Sequence, residues 1–308
     1  MKVLVSGASG LIGSALRARL LADGHEVVTM VRGDRASDGP HDDASVWWNP
    51  IEGGIDRVAL DRLGPFAAVV HLAGAGIADR RWTSARRREI RSSRIDPTAF
   101  LSREIARLDE PPDVFVSASA VGFYGDRGSE RLDEGSSPGE GFLAEVCMEW
   151  EAATAPAAAA GVRVVHLRSG IVLSAEGGAL AQQLRIFRLG LGGRLGSGRQ
   201  YTSWISLEDE VGVIRRAIDD VTLVGALNAT APEPVTNAAF TKALGAILHR
   251  PTFWVVPRTA LALLLGADLA DEMLLVSQRV LPEKLTEAGH RFAHPELESA
   301  LRAIVGGR

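Results

Sequence analysis

The chain opens Lys2-Val3-Leu4-Val5-Ser6-Gly7-Ala8-Ser9-Gly10-Leu11-Ile12-Gly13-Ser14-Ala15-Leu16, and this stretch decides the fold. The apolar run Val3–Val5 predicts a buried strand, and the apolar spacing over Leu11–Ala22 predicts an amphipathic helix that begins at once. Gly7, Gly10 and Gly13 join the two. A glycine triplet alone says little, but between a first strand and a helix it is the turn that cradles a dinucleotide. Gly7 permits the tight turn, Gly10 lets main chain approach a pyrophosphate, and Gly13 lets the helix pack closely. The pyrophosphate sits over the unpaired N–H groups at the helix start, so Ser9, Leu11 and Ile12 join the glycines as expected cofactor-binding residues.

Outward from this turn, apolar runs at Val27–Val31, Ala68–Leu72, Val114–Ser117 and Val162–Leu167 alternate with helix-length segments at Ser84–Arg107 and Phe142–Ala160. That alternation predicts an α/β protein with a Rossmann-type, doubly wound parallel sheet. The pattern loosens after Arg168. The expected organisation is a dinucleotide-binding domain over residues 1–170, with 205–230 returning to it, and a smaller C-terminal, substrate-side cap over 171–204 and 231–308. Asp34 to Ala44 is polar and reads as a mobile surface loop. Ala152 to Ala160, with Pro156 inside, reads as a kinked helix.

The 308 residues, 46% hydrophobic and 23% charged, are those of a globular protein with a sizeable core. A net charge of −4 argues against a nucleic-acid partner. The single Cys147 excludes an intramolecular disulfide and fits a reducing cytoplasm. The most apolar late stretch, Ala260–Ala267, is far short of the roughly 20 residues that span a bilayer. No signal-peptide pattern is visible, so a cytoplasmic protein without a membrane partner is expected. His290 and His294 lack a third ligand nearby, and no metal site is expected.

The cofactor's identity turns on the end of the second strand, Glu26-Val27-Val28-Thr29-Met30-Val31-Arg32. NAD is held there by an acidic side chain on the ribose hydroxyls, but the end position is Val31 and Arg32 follows. A guanidinium pairs with a 2′-phosphate where a carboxylate would repel it. NADP(H) is therefore expected over NAD(H), although Asp34 and Arg35 lie close enough to complicate the assignment.

The opening turn, His71-Leu72-Ala73-Gly74, and Ser117-Ala118-Ser119-Ala120-Val121-Gly122-Phe123-Tyr124-Gly125 together resemble the extended short-chain dehydrogenase/reductase superfamily. Arg81-Trp82, Ser93-Arg94, Gly198-Arg199-Gln200, Asn228-Ala229-Thr230-Ala231-Pro232 and Arg279-Val280-Leu281-Pro282 narrow this to an atypical, sugar-nucleotide epimerase-like branch with a C-terminal domain of unknown function. The resemblance covers nearly the whole chain. It implies that Leu72, Ala73 and Gly74 line the cofactor site, and that a Ser, a Tyr and a Lys do the proton chemistry. A free phenol with a pKa near ~10 is a poor base unless a cation stabilises the phenolate.

Here the pattern breaks. Lysine occurs only at 2, 242 and 284, and tyrosine only at Tyr124 and Tyr201, each followed four residues later by Gly128 or Ile205. Ser119 matches the serine, but the resemblance puts Phe142 and Val146 where the tyrosine and lysine belong. Ser119, polarising a carbonyl, and Tyr124, five residues on, are then the catalytic candidates. Glu145 and Cys147 flank Val146 and are expected to point away from its face. Asp133 and Glu134 are expected to be solvated, and His71 to line the cofactor cleft.

Arg81 and Trp82, inside a run of arginines, and Arg199, in a second glycine-rich loop, are candidates for binding a small, anionic substrate. The leading reading is an NADP(H)-binding, epimerase-like oxidoreductase. The other is a non-catalytic NADP(H)-binding sensor or regulatory protein. Either a monomer or a homodimer through Ser84–Arg107 and Phe142–Ala160 fits.

Overall fold

A computed structural model describes residues 1–33 and 44–306. The expected loop from Asp34, apart from Ala44, lies outside the described residues, as do Asp34 and Arg35.

Eight strands form the central sheet: β1 (Lys2–Ser6), β2 (Glu26–Arg32), β3 (Ser45–Asn49), β4 (Gly54–Ile55), β5 (Ala68–His71), β6 (Val114–Ala120), β7 (Arg163–Ser169) and β8 (Gly225–Ala229). Their order is β8-β7-β6-β5-β1-β2-β3-β4, and every pair is parallel except β3 with β4. β1 takes the centre because Val3, Leu4 and Val5 are all buried, the mark of a strand covered on both faces. Each such aliphatic side chain contributes about 1.5–3 kcal/mol. Val5 sits opposite Thr29 on one side and Val70 on the other.

Helices cover both faces. In α1 (Leu11–Ala22) the buried positions Gly13, Leu16 and Leu20 recur at spacings of three and four, so one stripe faces the sheet. It packs with α4 (Leu207–Asp219) over Val3, Val5 and Val70. The opposite face buries Phe100, Leu101 and Ile105 of α2 (Ser84–Ile105) against Leu4, Val69 and Phe115. The chain re-enters the sheet layer through α4 and β8, which pairs with β7.

The segment expected as one kinked helix is two. α3 (Phe142–Ala152) ends, and a short helix, Ala155–Ala159, begins with Pro156 in its first turn. Proline is favoured there because its missing N–H has no intrahelical acceptor. A separate core gathers Leu180, Leu184, Trp204, Phe240, Leu244 and Leu301. Among the described residues, no helix is long and apolar enough to cross a membrane.

The strand order reverses at β1: the chain passes from β1 to β2 on one side and later returns through β5 on the other. Such a switch point leaves a crevice beyond the carboxyl ends of the strands.

Candidate functional site

At that crevice Gly7 adopts φ +73, and a Cβ on it would stand 2.8 Å from the main chain of both Leu72 and Ala73. A Cβ on Gly13 would lie 2.1 Å from the Gly7 carbonyl oxygen. The turn is closed by the Gly10 N–H, which donates to the Gly7 carbonyl at 3.0 Å. Thr83 and Ser206 cap α2 and α4, but no side chain caps α1 and no acidic residue occupies its first turn. Its leading N–H groups face the crevice as an anion site of partial positive charge.

Two clefts meet at this turn. The first, ≈ 630 Å³, runs outward to Thr29, Val31 and Arg32, with Trp48 as a wall. The second, ≈ 570 Å³, runs inward past Ser119 to Ile171 and Met273. Every expected cofactor-binding residue lines one of them. Ser9, Ala73 and Arg32 line the first; Leu11, Ile12 and Gly13 the second; Gly7, Gly10, Leu72 and Gly74 both.

Arg32 is exposed at the end of β2, and Arg17, on α1, lines the same cleft. Among the described residues neither has an ion-pair partner. Arg17 was missed from sequence; it lies seven residues beyond Gly10, two turns along the same helix face, and that spacing was the available signal. His71 does not line the cleft as expected. It is fully buried, its Nδ1 is 2.5 Å from Ser6 Oγ, and burial pushes its pKa down to about 3, so the ring is neutral.

Ser119 lines the second cleft, and its hydroxyl donates to Glu151 Oε1 at 2.7 Å. Arg168 grips the same carboxylate in a two-pronged pair, Nε to Oε1 at 2.8 Å and Nη2 to Oε2 at 2.8 Å. Arg168 Nη1 donates to the Tyr124 hydroxyl at 2.9 Å, which in turn donates to Asn228 Oδ1 at 2.7 Å.

Tyr124 therefore departs from the expectation that its hydroxyl reaches the reacting centre. A 3-10 turn, Val121–Tyr124, carries the ring away into an apolar cluster with Phe123, Leu132 and Val280. It is fully buried, it lines neither cleft, and burial pushes its pKa up to about 12.

Phe142 meets the Trp82 ring edge-on at 5.4 Å, and Val146 lines the second cleft. Cys147, expected to point away, also lines it, because the helix turns both 146 and 147 inward; burial holds its thiol up at about 12. Glu145 is exposed. Glu134 is half-buried and not simply solvated: its carboxylate accepts from the main-chain N–H of Asn228 at 3.1 Å and Lys284 at 3.4 Å, and burial raises its pKa.

The expected substrate residues lie away from both clefts. Arg81 donates to the carbonyls of Leu263 and Leu264, and Trp82 Nε1 to that of Ile77 at 2.9 Å. Arg199 is exposed. None of the three lines either cleft.

Arg94 does line the second cleft, but its guanidinium donates to the Ile90 and Ala75 carbonyls at 3.0 and 2.8 Å and lies against Trp150. Two contributors escaped the sequence. Ser169 lines the cleft and donates to the buried Glu210. Glu272 also lines it and accepts from the Leu143 N–H at 2.9 Å, across 129 positions of sequence that carry no local signal.

Residues 3–228 match the NAD dependent epimerase/dehydratase family, and residues 256–304 a domain of unknown function, DUF1731. The chain is 47% identical over 299 residues to "Epimerase family protein Mb2239" of Mycobacterium bovis, covering 97% of this chain and 96% of that one. Among solved structures it resembles the human epimerase family protein SDR39U1 (isoform2), crystallised with NADPH. There the TM-score is 0.87 at 33% identity, with both chains covered in full. A nucleoside-diphosphate sugar epimerase of Corynebacterium glutamicum gives a TM-score of 0.80 at 36% identity, covering all of this chain and 59% of that one.

Proposed function

The chain belongs to the NAD dependent epimerase/dehydratase family, and on that premise we propose that it is an NADP(H)-dependent, epimerase-like oxidoreductase acting on a small molecule. The observation that carries this is the first cleft: an uncapped helix N-terminus and a glycine turn at one end, and at the other Arg17 and Arg32, neither with an ion-pair partner among the described residues. Main-chain N–H groups of α1 would hold the pyrophosphate, and the two guanidinium groups the 2′-phosphate. Val31, where an acid would favour NAD, agrees with this preference. The NADPH in the human relative supports it. When bound, the cofactor gives or takes a hydride at its nicotinamide.

The chain's own contribution is proton handling. Glu151, gripped by Arg168, accepts the Ser119 proton, so Ser119 offers the cleft a lone pair rather than a donor. A substrate hydroxyl donates its proton to Ser119 Oγ as Ser119 passes its own to Glu151, and reduction runs the same transfers backward. In reduction Ser119 thus donates to the carbonyl oxygen, the polarising role expected from sequence, with Glu151 as its proton source. Relays of this kind contribute about 10²–10⁴-fold. In stopped-flow measurements of NADP(H) turnover with a panel of alcohols and ketones, Ser119→Ala is expected to lose that factor while NADPH titrates as in wild type. If Ser119→Ala turns over as fast as wild type, the relay is wrong.

The filled positions Phe142, packed on Trp82, and Val146 favour a second reading, a non-catalytic NADP(H)-binding regulator. NADPH binding with no turnover of any panel member would select it.

A further inference from the structure

Away from the glycine turn, the apolar walls of the second cleft are formed by Leu143, Val146, Trp150, Ile171, Met273 and Val276. Among the described residues two charged side chains line it, and both have partners. Arg94 donates to two main-chain carbonyls and lies against Trp150, and Glu272 accepts from the N–H of Leu143. Three arginines of the run after Asp79 are engaged as well: Arg81 and Arg86 with main-chain carbonyls, Arg87 with Asp268 at 2.7 Å.

A sugar nucleotide would bring a diphosphate and several hydroxyls to these walls. A hydroxyl buried without a partner costs about 2–7 kcal/mol, and an unpaired charge far more. Glu272 would also repel a diphosphate. What the cleft offers a ligand is a few neutral polar groups, Ser119, Ser169 and Gln278, beside an apolar surface.

We propose that this site takes an uncharged, largely apolar alcohol or ketone and not a sugar nucleotide, an inference that rests on the oxidoreductase reading above. The ligand's oxygen meets Ser119 and its carbon skeleton lies against Leu143, Val146 and Met273. Oxidation of the alcohol moves the carbinol hydrogen with its electron pair to NADP⁺ and the hydroxyl proton to Ser119, whose own proton goes to Glu151. The C–H and O–H bonds break as the C=O bond forms. The cleft of ≈ 570 Å³ is shared: the nicotinamide end of the cofactor would take the part beside Leu11, Ile12 and Gly13, and what remains beside Ser119, Leu143 and Met273 suits a small ligand.

The test uses the full chain saturated with NADP⁺, after a fluorescence titration with NADPH has established cofactor binding. The probe is Prodan, an uncharged naphthyl ketone whose emission shifts to the blue in apolar surroundings. Prodan is expected to bind with a blue shift, to be displaced by uncharged ketones and alcohols, and to be indifferent to UDP-glucose. Prodan could also settle on the exposed Phe253, Trp254 and Val255. Met273→Glu, at a half-buried cap position, separates the two sites. It is expected to weaken Prodan binding about tenfold or more, because apolar surface then faces a carboxylate, while NADPH binding shows that the variant is folded.

Prodan binding that is absent, or unmoved by Met273→Glu, overturns the inference, as does displacement by UDP-glucose. In those cases the cofactor reading stands. A chain that binds no NADPH overturns the oxidoreductase reading itself, and this inference with it.

Discussion

At Tyr124 one hydroxyl closes a chain of buried polar groups, taking a bond from Arg168 and giving one to Asn228. Replacing it with phenylalanine keeps the ring in its apolar cluster but strips both neighbours of a partner. A buried polar group left unsatisfied costs about 1–3 kcal/mol, and a loss of that size is expected in the denaturant-unfolding free energy of Tyr124→Phe, with NADPH affinity unchanged. Turnover lost without loss of stability would return Tyr124 to the reacting centre. Sequence proximity to Ser119 could not reveal this placement, because the outcome hangs on a single 3-10 turn that redirects the ring. Ser119 itself was legible, but its partner Glu151 was not: the contact spans 32 positions. The glycine turn was fully legible, since strand, turn and helix are contiguous and each glycine answers to a local steric demand.

Among the elements, α4 carries an acid fully shut off from solvent. Glu210 is fully buried; Ser169 donates to one oxygen, and the other has no partner among the described residues. Burial raises its carboxyl from 4.5 to about 8. The unfolded chain gives up this proton near 4.5 while the folded chain keeps it to about 8. The folded state thus holds more protons across that window, and stability falls as pH rises through it. His71 on β5 works in the other direction: its pKa near 3 removes stability as pH falls from 6.5 toward 3.

Glu210→Gln keeps the shape and removes the titration. Between about pH 5 and pH 8.5 its unfolding free energy is expected to decline less than that of wild type. Equal declines would contradict the assignment. The parallel elements β1, β2, β5, β6 and β7 announced themselves as apolar runs. β3 and β4 did not: β4 has only two residues, and β3 pairs with it around Pro50 and a glycine-rich bend. The break at Ala153-Thr154 was read as a kink because an alanine-rich stretch gives no sign of where one helix stops.

Across the whole molecule, the C-terminal segment is tied to the core at the point where the second cleft opens. Gly141 stands at the N-terminus of α3 with no side chain of its own to cap it, and Glu272 reaches across from the C-terminal segment to accept the Leu143 N–H. Arg81 holds the carbonyls of Leu263 and Leu264 from the other direction. Removing a capping acceptor costs about 0.5–2 kcal/mol. Glu272→Ala is therefore expected to speed amide hydrogen exchange at Leu143 and in residues 267–274 while exchange in β1 and β5 stays slow. Unchanged exchange at Leu143 would mean that the cap is held by other contacts. No local pattern in the sequence foretells these ties, because they join segments more than a hundred residues apart.

The central claim is that the first cleft selects a 2′-phosphorylated dinucleotide through Arg17 and Arg32, and fluorescence titration with NADPH and NADH tests it most directly. Hydrogen bonds to charged groups contribute about 1.5–3 kcal/mol, so wild type is expected to bind NADPH at least about tenfold tighter than NADH. Arg17→Ala and Arg32→Ala are each expected to lose about tenfold or more in NADPH affinity while NADH affinity stays as it was. Equal binding of the two dinucleotides by wild type, or NADPH affinity untouched in both variants, would contradict the account.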